Sequence, residues 1–337
     1  MSNPIILGIE TSCDETAVAI LNGEKIAHLF SSQIEIHKQY GGIVPELACR
    51  SHIETIAPLY RKILSVSGCA QDQINAIAVT AGPGLVGALL VGVSFAKSLA
   101  YALRVPLLAV HHLEGHISAI FLEHEEVVFP AIALVVSGGH TNLYKMPQKG
   151  KYHLLGKTLD DAAGEALDKG ARLLGYEYPG GPVMDRLSQK GDRMRYPFST
   201  PNCAGLHFSF SGVKSALSRL ISKTDDSTKS DLGFHADISA SYQWAIVESL
   251  VQKTILAAKQ ENAKSLIIAG GVAANSLLRK RMKAAGEQFG FAVHIPSREY
   301  CTDNAAMIAM AGLSRFERND FASLDVSPNP NLSLGQI

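Results

Sequence analysis

The sequence predicts an α/β protein built from two similar halves. Two observations carry this expectation. An apolar strand, a small polar turn and two further strands occur once from Ile5 and again from Ala131, and such self-similarity signals an internal duplication. Around each copy, short apolar runs alternate with longer stretches of helical periodicity, as in layered strands and helices. A length of 337 residues has room for two domains. The expected boundaries are 1–130 together with 300–337, the C-terminal helix returning to the first half, and 131–299 for the second half with its inserted helices and loop.

The first copy opens with the apolar run Ile5–Ile9, which ends in Glu10-Thr11-Ser12-Cys13-Asp14-Glu15-Thr16. Ala17–Leu21, Asn22-Gly23 and Ile26–Phe30 follow, and Asn-Gly between apolar runs marks a hairpin. The acidic, hydroxyl-rich turn has groups that can hold phosphate and direct water or a cation; an ordinary solvated turn has the same composition. Gly41-Gly42 and Pro45 open a helix expected over Glu46–Leu64, kinked near Pro58. Ala76–Ala81 reads as a buried strand. Gly82-Pro83-Gly84 then leads into a long helix from about Leu85, as an anion site at a helix N-terminus or as a tight connection. That helix, to Leu103, carries Lys97 and several small residues, which suits a core rather than a membrane.

A strand over Val105–Val110 runs into His111-His112-Leu113-Glu114-Gly115-His116, the start of a short helix reaching about Leu122. His112 and His116 are four apart and project from one face, where two imidazoles can chelate one metal ion. Two satisfied core histidines would have the same spacing.

The second copy has the strand Ala131–Val136, the turn Ser137-Gly138-Gly139-His140-Thr141, and strands over Asn142–Met146 and Lys151–Thr158. Gly138 and Gly139 let backbone approach a ligand closely, so this turn is a second candidate clamp. A helix is expected over Asp160–Leu174 with Asp161, Glu165 and Asp168 near one face. The rigid loop Tyr178-Pro179-Gly180-Gly181-Pro182 precedes Asp185 on a short helix. Asp192–Gly212 reads as irregular; its Arg193, Arg195, His207, Phe208 and Phe210 suit nucleic-acid holding and stacking, or anchoring of the loop to the core. Asp237–Gln260 is a long helix with the chain's single tryptophan, Trp244. The strand Ser265–Ala269 reaches Gly270-Gly271-Val272-Ala273-Ala274-Asn275, where Asn275 can hydrogen-bond a sugar or base. The helix beyond carries Arg279, Lys280, Arg281 and Lys283, a run most simply read as a solvated face. After a last strand, Ala292–Ile295, the segment Tyr300–Ala306 starts the final helix. Asp303 is expected as its N-cap, or as the carboxylate of a two-His, one-carboxylate metal site with open positions.

Composition narrows the function classes. Thirty-one basic and thirty-one acidic side chains give zero formal net charge, so a nucleic-acid partner must be held by a local patch. Cys13, Cys49, Cys69, Cys203 and Cys301 are scattered with no C-x-x-C pair, which argues against a disulfide framework or a thiolate zinc cage. The N-terminus lacks a basic n-region. The expectation is a cytoplasmic protein with no membrane and no DNA partner.

In combination these motifs resemble one family, the tRNA threonylcarbamoyladenosine synthesis transferases. The matching residues are Gly8–Thr16, Gly41-Gly42-Ile43-Val44-Pro45-Glu46, Ala81-Gly82-Pro83-Gly84-Leu85, His111–His116, Val136–Thr141, Tyr178-Pro179-Gly180-Gly181, Phe208-Ser209-Phe210-Ser211-Gly212, Gly270–Asn275 and Cys301-Thr302-Asp303-Asn304. They occur in the family's order and span nearly the whole chain. Asn202-Cys203-Ala204 and His207 depart from a more charged, proline-containing version of their loop.

The resemblance implies two actin-like (ribonuclease-H-like) domains with a cleft between them, as in sugar kinases and related ATPases. It implies one metal ion on His112, His116 and Asp303, Fe(II) first and Zn(II) as an alternative, with these residues acting catalytically through the metal. It implies that Val135, Val136, Ser137, Gly138, Gly139, Asp168, Gly181, Asp185 and Asn275 hold threonylcarbamoyl-AMP or ATP. The family reaction moves the threonylcarbamoyl group from its adenylate to the exocyclic amine of the adenosine beside the anticodon, in tRNAs reading codons that begin with A. Glu10, Asp14 and His140 are the candidates for general base, with none singled out by the sequence, and Glu10 is expected among the catalytic residues. The implied partners are tRNA, a TsaB-like paralogue and a TsaE-like P-loop ATPase. Competing readings are a small-molecule kinase of the same fold and a non-catalytic nucleotide-binding subunit. A metalloprotease would need a glutamate directly after the first histidine, where this chain has Leu113.

Overall fold

A computed structural model describes residues 3–124 and 126–335. Its contacts divide the chain into two compact units, Met1–Glu125 with Thr302–Ile337, and Glu126–Cys301.

The first unit begins with β1 (Ile5–Glu10), β2 (Glu15–Asn22) and β3 (Lys25–Ser32). The hairpin at Asn22-Gly23 pairs Asn22 with Lys25, and Gly23 takes φ +61°, the left-handed conformation such turns require. Helices α1 (Ile34–Lys38) and α2 (Pro45–Ser67) follow, then β4 (Ala76–Gly82), α3 (Val86–Leu103), β5 (Leu107–His111) and α4 (His112–Ser118). The sheet order is β3-β2-β1-β4-β5. β1 runs parallel to β4, and β4 to β5. The central strands are buried on both faces, which is why they read as unbroken apolar runs. By length and composition α3 could cross a membrane, but Val93, Ala96 and Ala100 pack into the core beside this sheet.

The second unit holds β6 (Ala131–Val136), β7 (Thr141–Met146), β8 (His153–Lys157), α5 (Ala163–Leu173), α6 (Gly181–Ser188), α7 (Ser211–Lys223), α8 (Asp226–Lys229), α9 (Leu232–Gln260), β9 (Ser265–Ala269), α10 (Ser276–Phe289) and β10 (Ala292–His294). Its sheet order is β10-β9-β6-β7-β8. β6, β7 and β8 are antiparallel neighbours, and β6, β9 and β10 are parallel. Reading β1 against β6 makes the two sheets the same topology, two strands of a meander on one side and two parallel crossover strands on the other. The expected duplication is therefore present as structure, and the chain has the mixed α/β, actin-like fold class.

Some expected elements are displaced. α5 starts at Ala163, not Asp160. The Asp160 carboxylate instead accepts from the backbone N–H groups of Phe210 and Ser211 and from both the Ser209 and Ser211 hydroxyls, which fixes the start of α7. Asp161 is not on the helix face either; it pairs with Lys169 and Lys214. α7 occupies a stretch whose helical pattern was not expected, and α9 begins at Leu232, where Asp231 caps it. Phe208 and Phe210 are fully buried and stacked, so they anchor the loop.

The chain returns to the first unit in α11 (Ala305–Glu317). A methyl group on Gly8 of β1 would lie 2.3 Å from the Ala305 carbonyl oxygen, so α11 rests directly on the strand that ends in Glu10.

Candidate metal centre and ligand-binding turn

β5 delivers the histidine segment, and His111 ends it as a cap. Its Nδ1 accepts from the Leu113 N–H at 3.1 Å, which leaves Nε2–H to donate to the Leu332 carbonyl, also at 3.1 Å. Both ring nitrogens are thus used, and His111 is a structural residue. His112 and His116 then fall on one face of α4, 7% and 1% exposed, with ring centroids 4.7 Å apart. Glu114 points elsewhere: its carboxylate receives Arg315 Nη2 at 2.8 Å and Nε at 3.2 Å. A glutamate neutralised in this way cannot serve as the water-activating base of a metalloprotease.

Asp303 does not cap α11, contrary to one sequence expectation. Asn304 does, its Oδ1 accepting from the Met307 N–H at 2.9 Å. Asn304 serves as well as aspartate in that role, and its use there frees Asp303 to face the histidines. Asp303 Oδ1 is 3.1 Å from His116 Nε2 and 3.6 Å from His112 Nε2. One ligand atom from each of the three residues lies within 4.8 Å of the others.

Whether this set suits a metal ion is decided by His116. Both its ring nitrogens are buried without a hydrogen-bond partner, a costly state for polar atoms in a core. The short approach of Nε2 to Asp303 makes no hydrogen bond. A divalent cation between His116, His112 and Asp303 would use that lone pair, so the residues present fit the group.

Glu10 stands behind His112. It is fully buried, and its Oε2 accepts from the Thr80 hydroxyl at 2.6 Å and lies 3.2 Å from His112 Nδ1. Ser12 Oγ is 3.1 Å from the same nitrogen, and the Ser12 N–H donates to Glu10 Oε1. Burial would raise the Glu10 carboxyl, but the charge and hydrogen bond of His112, with the Thr80 hydroxyl, hold it below the ordinary value. Burial would lower His112, but the carboxylates of Asp303 and Glu10 outweigh it and push the imidazole up to about 9. A carboxylate on Nδ1 fixes the tautomer in which Nε2 is the ligand atom. Asp14, also buried, is raised by desolvation and by Asp303.

In the second unit, Val135 and Val136 are fully buried at the end of β6 and fasten the turn that follows. The Ser137 N–H donates to the His140 carbonyl at 2.8 Å, and the His140 N–H to Ser137 Oγ at 3.1 Å. Gly138 and Gly139 are exposed with open space where side chains would be. Asp168 Oδ1 accepts from the Gly181 N–H at 2.8 Å. Asp185 accepts from the Ser276 hydroxyl at 2.7 Å and from Gln243 Nε2 at 3.2 Å; Gln243 Oε1 in turn accepts from Asn275 Nδ2 at 2.9 Å. Asp185 and Asn275 are therefore joined through Gln243 and Ser276. Sequence reading missed both connecting residues, because a glutamine inside a long helix and a serine after an asparagine leave no local signal. Gly270, φ +89°, is required here: a methyl group on it would lie 2.4 Å from the Val136 carbonyl oxygen.

The site residues thus form two sets. His112, His116, Asp303 and Glu10 meet in the first unit; the Ser137–Gly139 turn, the Asp168–Gly181 pair and the Asp185–Asn275 pair belong to the second. His140 lies in the second unit as well.

A family model described as TsaD, tRNA N6-adenosine threonylcarbamoyltransferase, matches residues 24–310. The chain is 50% identical over 333 residues to the tRNA N6-adenosine threonylcarbamoyltransferase of Moorella thermoacetica, covering 98% of this chain and 97% of that one. It is 47% identical over 334 residues to the protein of the same name from Thermosipho africanus, covering 98% and 100%. Among solved structures, HypF from T. kodakarensis superposes with a TM-score of 0.64 at 16% identity, over 95% of this chain and 48% of that one. Component A of the Acidaminococcus fermentans (R)-2-hydroxyglutaryl-CoA dehydratase gives 0.54 at 15% identity, over 93% and 99%. These two likenesses concern the fold alone.

Proposed function

The chain belongs to the tRNA N6-adenosine threonylcarbamoyltransferase family, and from that membership we propose how its residues divide the work of the reaction. It is a transferase that modifies tRNA at N6 of an adenosine. That amine is a poor nucleophile, because its lone pair is delocalised into the purine ring. The donor must therefore be activated, and the mixed anhydride threonylcarbamoyl-AMP is the donor proposed. The acceptor proposed is the adenosine beside the anticodon in tRNAs reading codons that begin with A; extrusion from the loop stack would bring it to the site.

His112, His116 and Asp303 would hold one divalent ion, Fe(II) first and Zn(II) as the alternative. When bound, that ion would supply a Lewis acid for the donor's oxygens. The observation that carries this reading is His116, with two buried, unbonded ring nitrogens beside a carboxylate and a second imidazole.

The chain's own groups supply the rest. Glu10 holds the His112 Nδ1 proton and keeps Nε2 directed at the site. Ionised and fully buried, Glu10 serves His112 better than it would serve as a base. Gly138 and Gly139 are exposed with no side chain in the way, so the backbone of this turn would meet a phosphate or carbonyl oxygen of the donor. Val135, Val136 and Ser137 hold that turn. Asp168 with Gly181, and Asp185 with Asn275, would fix the hydroxyls and base of the nucleotide.

A TsaB-like paralogue and a TsaE-like P-loop ATPase are proposed as partners, in the cytoplasm. Large apolar side chains stand exposed on adjoining helices, Ile53 on α2 and Leu90 and Tyr101 on α3, and a docked paralogue would cover them. The decisive experiment is a transfer assay with purified chain, unmodified tRNA and fresh threonylcarbamoyl-AMP, with and without the partners, read by nucleoside mass spectrometry. Product that vanishes on chelation and in Asp303→Ala supports the reading. Product that persists in metal-stripped protein sinks the metal role, and no product with all partners present sinks the function.

A further inference from the structure

Two basic segments far apart in sequence meet on one aromatic ring. Arg193, in the loop after α6, places its guanidinium carbon 3.5 Å from the ring centroid of Trp244 on α9. Arg281 on α10 lies 4.9 Å from the same ring. We propose that Arg193, Trp244 and Arg281 form a binding surface for the sugar–phosphate backbone of the acceptor tRNA. The proposal rests on the reading above that tRNA is the substrate.

The loop is built to hold Arg193 in place. The Asp192 N–H donates to Asp237 Oδ1 at 2.7 Å, and the Met194 N–H donates to Asp192 Oδ1 at 2.9 Å. The Tyr196 ring meets Phe234 edge-on at 5.4 Å, and Phe198 meets Tyr242 at 5.7 Å. A methyl group on Gly191 would lie 2.0 Å from the Ala236 carbonyl oxygen, so the loop backbone rests directly on α9. Arg193 itself is exposed. A loop pinned this firmly loses little entropy on binding.

The chemistry favours phosphate. A guanidinium stacked on an indole face is oriented by the ring, and its edge N–H groups remain free to take a phosphate two at a time. Arg281 is partly neutralised by Glu248, 2.9 Å away. Net positive charge therefore comes from Arg193, supplemented by exposed Lys190, Lys280 and Lys283 in the flanking sequence. The chain as a whole is neutral, and binding to a polyanion requires such a local surface.

Position favours RNA over an acidic protein. α10 begins beside Asn275, and Arg281 lies about 9 Å further along its axis at 1.5 Å per residue. α6 carries Asp185, and the chain leaving α6 carries Arg193. The elements that carry Asp185 and follow Asn275 thus continue into the basic surface, which places it beside the proposed nucleotide site.

Trp244 is the chain's only tryptophan, so its emission reports on this surface directly. The full chain is titrated with unmodified tRNA, reading tryptophan emission and filter binding over a series of salt concentrations. Arg193→Glu is expected to weaken tRNA binding about tenfold, and Arg193→Ala to reduce the slope of log K against log salt by about 1. Urea unfolding midpoints are expected to be equal in all three proteins, which excludes loss of fold. Equal tRNA affinity in wild type and variants overturns the proposal, whether all bind or none does; so would an acidic protein occupying the surface, since tRNA affinity would then not move. The wild-type transfer assay keeps the two readings apart: transfer with no difference in tRNA affinity sinks this surface alone, and absence of transfer sinks the function.

Discussion

Nδ1 of His112 lies 3.2 Å from Oε2 of Glu10, a carboxylate with no exposure to water. This contact decides which ring nitrogen faces Asp303. Glu10→Gln keeps the volume and removes the charge. Affinity for Zn(II) is expected to fall about 10–100-fold, the usual effect of removing a carboxylate behind a ligating histidine, with unfolding midpoints close to wild type. Metal content after dialysis against a buffered zinc series checks this. Unchanged affinity would mean that Ser12 alone orients the ring.

The same pair gives the site a pH dependence. His112 is raised from 6.5 to about 9 in the metal-free chain. A raised basic group stabilises the fold fully below its unfolded value and loses that contribution as pH climbs through its folded value. Metal-free protein should therefore lose stability between about pH 6.5 and 9. A metal ion must displace the same proton, so metal affinity should rise over that window and then level off. Thermal unfolding with and without Zn(II) across the window tests both statements; a flat metal-free profile would contradict them.

Glu15 shows the opposite kind of shift. Burial raises its carboxyl from 4.5 to about 7, and its buried Oε2 has no hydrogen-bond partner. The folded chain therefore binds more protons here than the unfolded chain between those values, so ionising Glu15 costs stability as pH rises from about 4.5 to 7. Glu15→Gln should stabilise the protein above pH 7 and leave it unchanged near pH 4. Glu15 is only partly buried and water screens it, so the gain is on the order of 1 kcal/mol. Urea midpoints at the two pH values give the answer, and equal shifts at both would rule out ionisation as the cause.

Glu114 and Arg315 are 2% and 5% exposed and share two hydrogen bonds. Removing one partner strands a buried charge, so Arg315→Met should cost about 3–5 kcal/mol. Replacing both with uncharged residues of similar size should restore much of that. Denaturant unfolding of the single and double variants measures the coupling; a double variant no better than the single would mean that the contact of Arg315 with Asp320 carries the effect.

Much of this was legible in the sequence because the chemistry is local. The pair His112 and His116 is an i, i+4 spacing, Asn22-Gly23 announces its hairpin, and the two strand–turn copies differ little in length. Failures came where a role depends on distant partners. Asp303 and Asn304 are both good caps, and only the fold shows that Asn304 takes the role. Asp160 looked like the start of a helix, but its partners lie in Phe210 and Ser211. Gln243 joins Asp185 to Asn275 from the middle of a helix whose pattern reports only burial. Arg281 reads as part of a solvated face and Arg193 as a loop residue suited to holding nucleic acid, and their meeting at Trp244 is a tertiary fact.

Gly8 connects the fold to the site. A methyl group there would lie 2.3 Å from the Ala305 carbonyl oxygen and 2.8 Å from the Ala309 nitrogen, both backbone atoms of α11. Backbone cannot rotate aside as a side chain can, so Gly8→Ala must push α11 away from β1. β1 ends in Glu10, and the segment before α11 carries Asp303. The displacement therefore acts on stability and on the metal set together. The cost expected is about 3 kcal/mol, at the upper end for overpacking a well-filled core, with loss of Zn(II) binding even where the chain remains folded. Gly138→Ala is the control, since nothing lies within 4 Å of the added methyl group, and it should leave both quantities as they are. Urea unfolding and zinc titration of the two variants separate the cases. Gly8→Ala with normal metal affinity would show that α11 can shift without carrying Asp303, and that the 302–304 segment holds its place by itself.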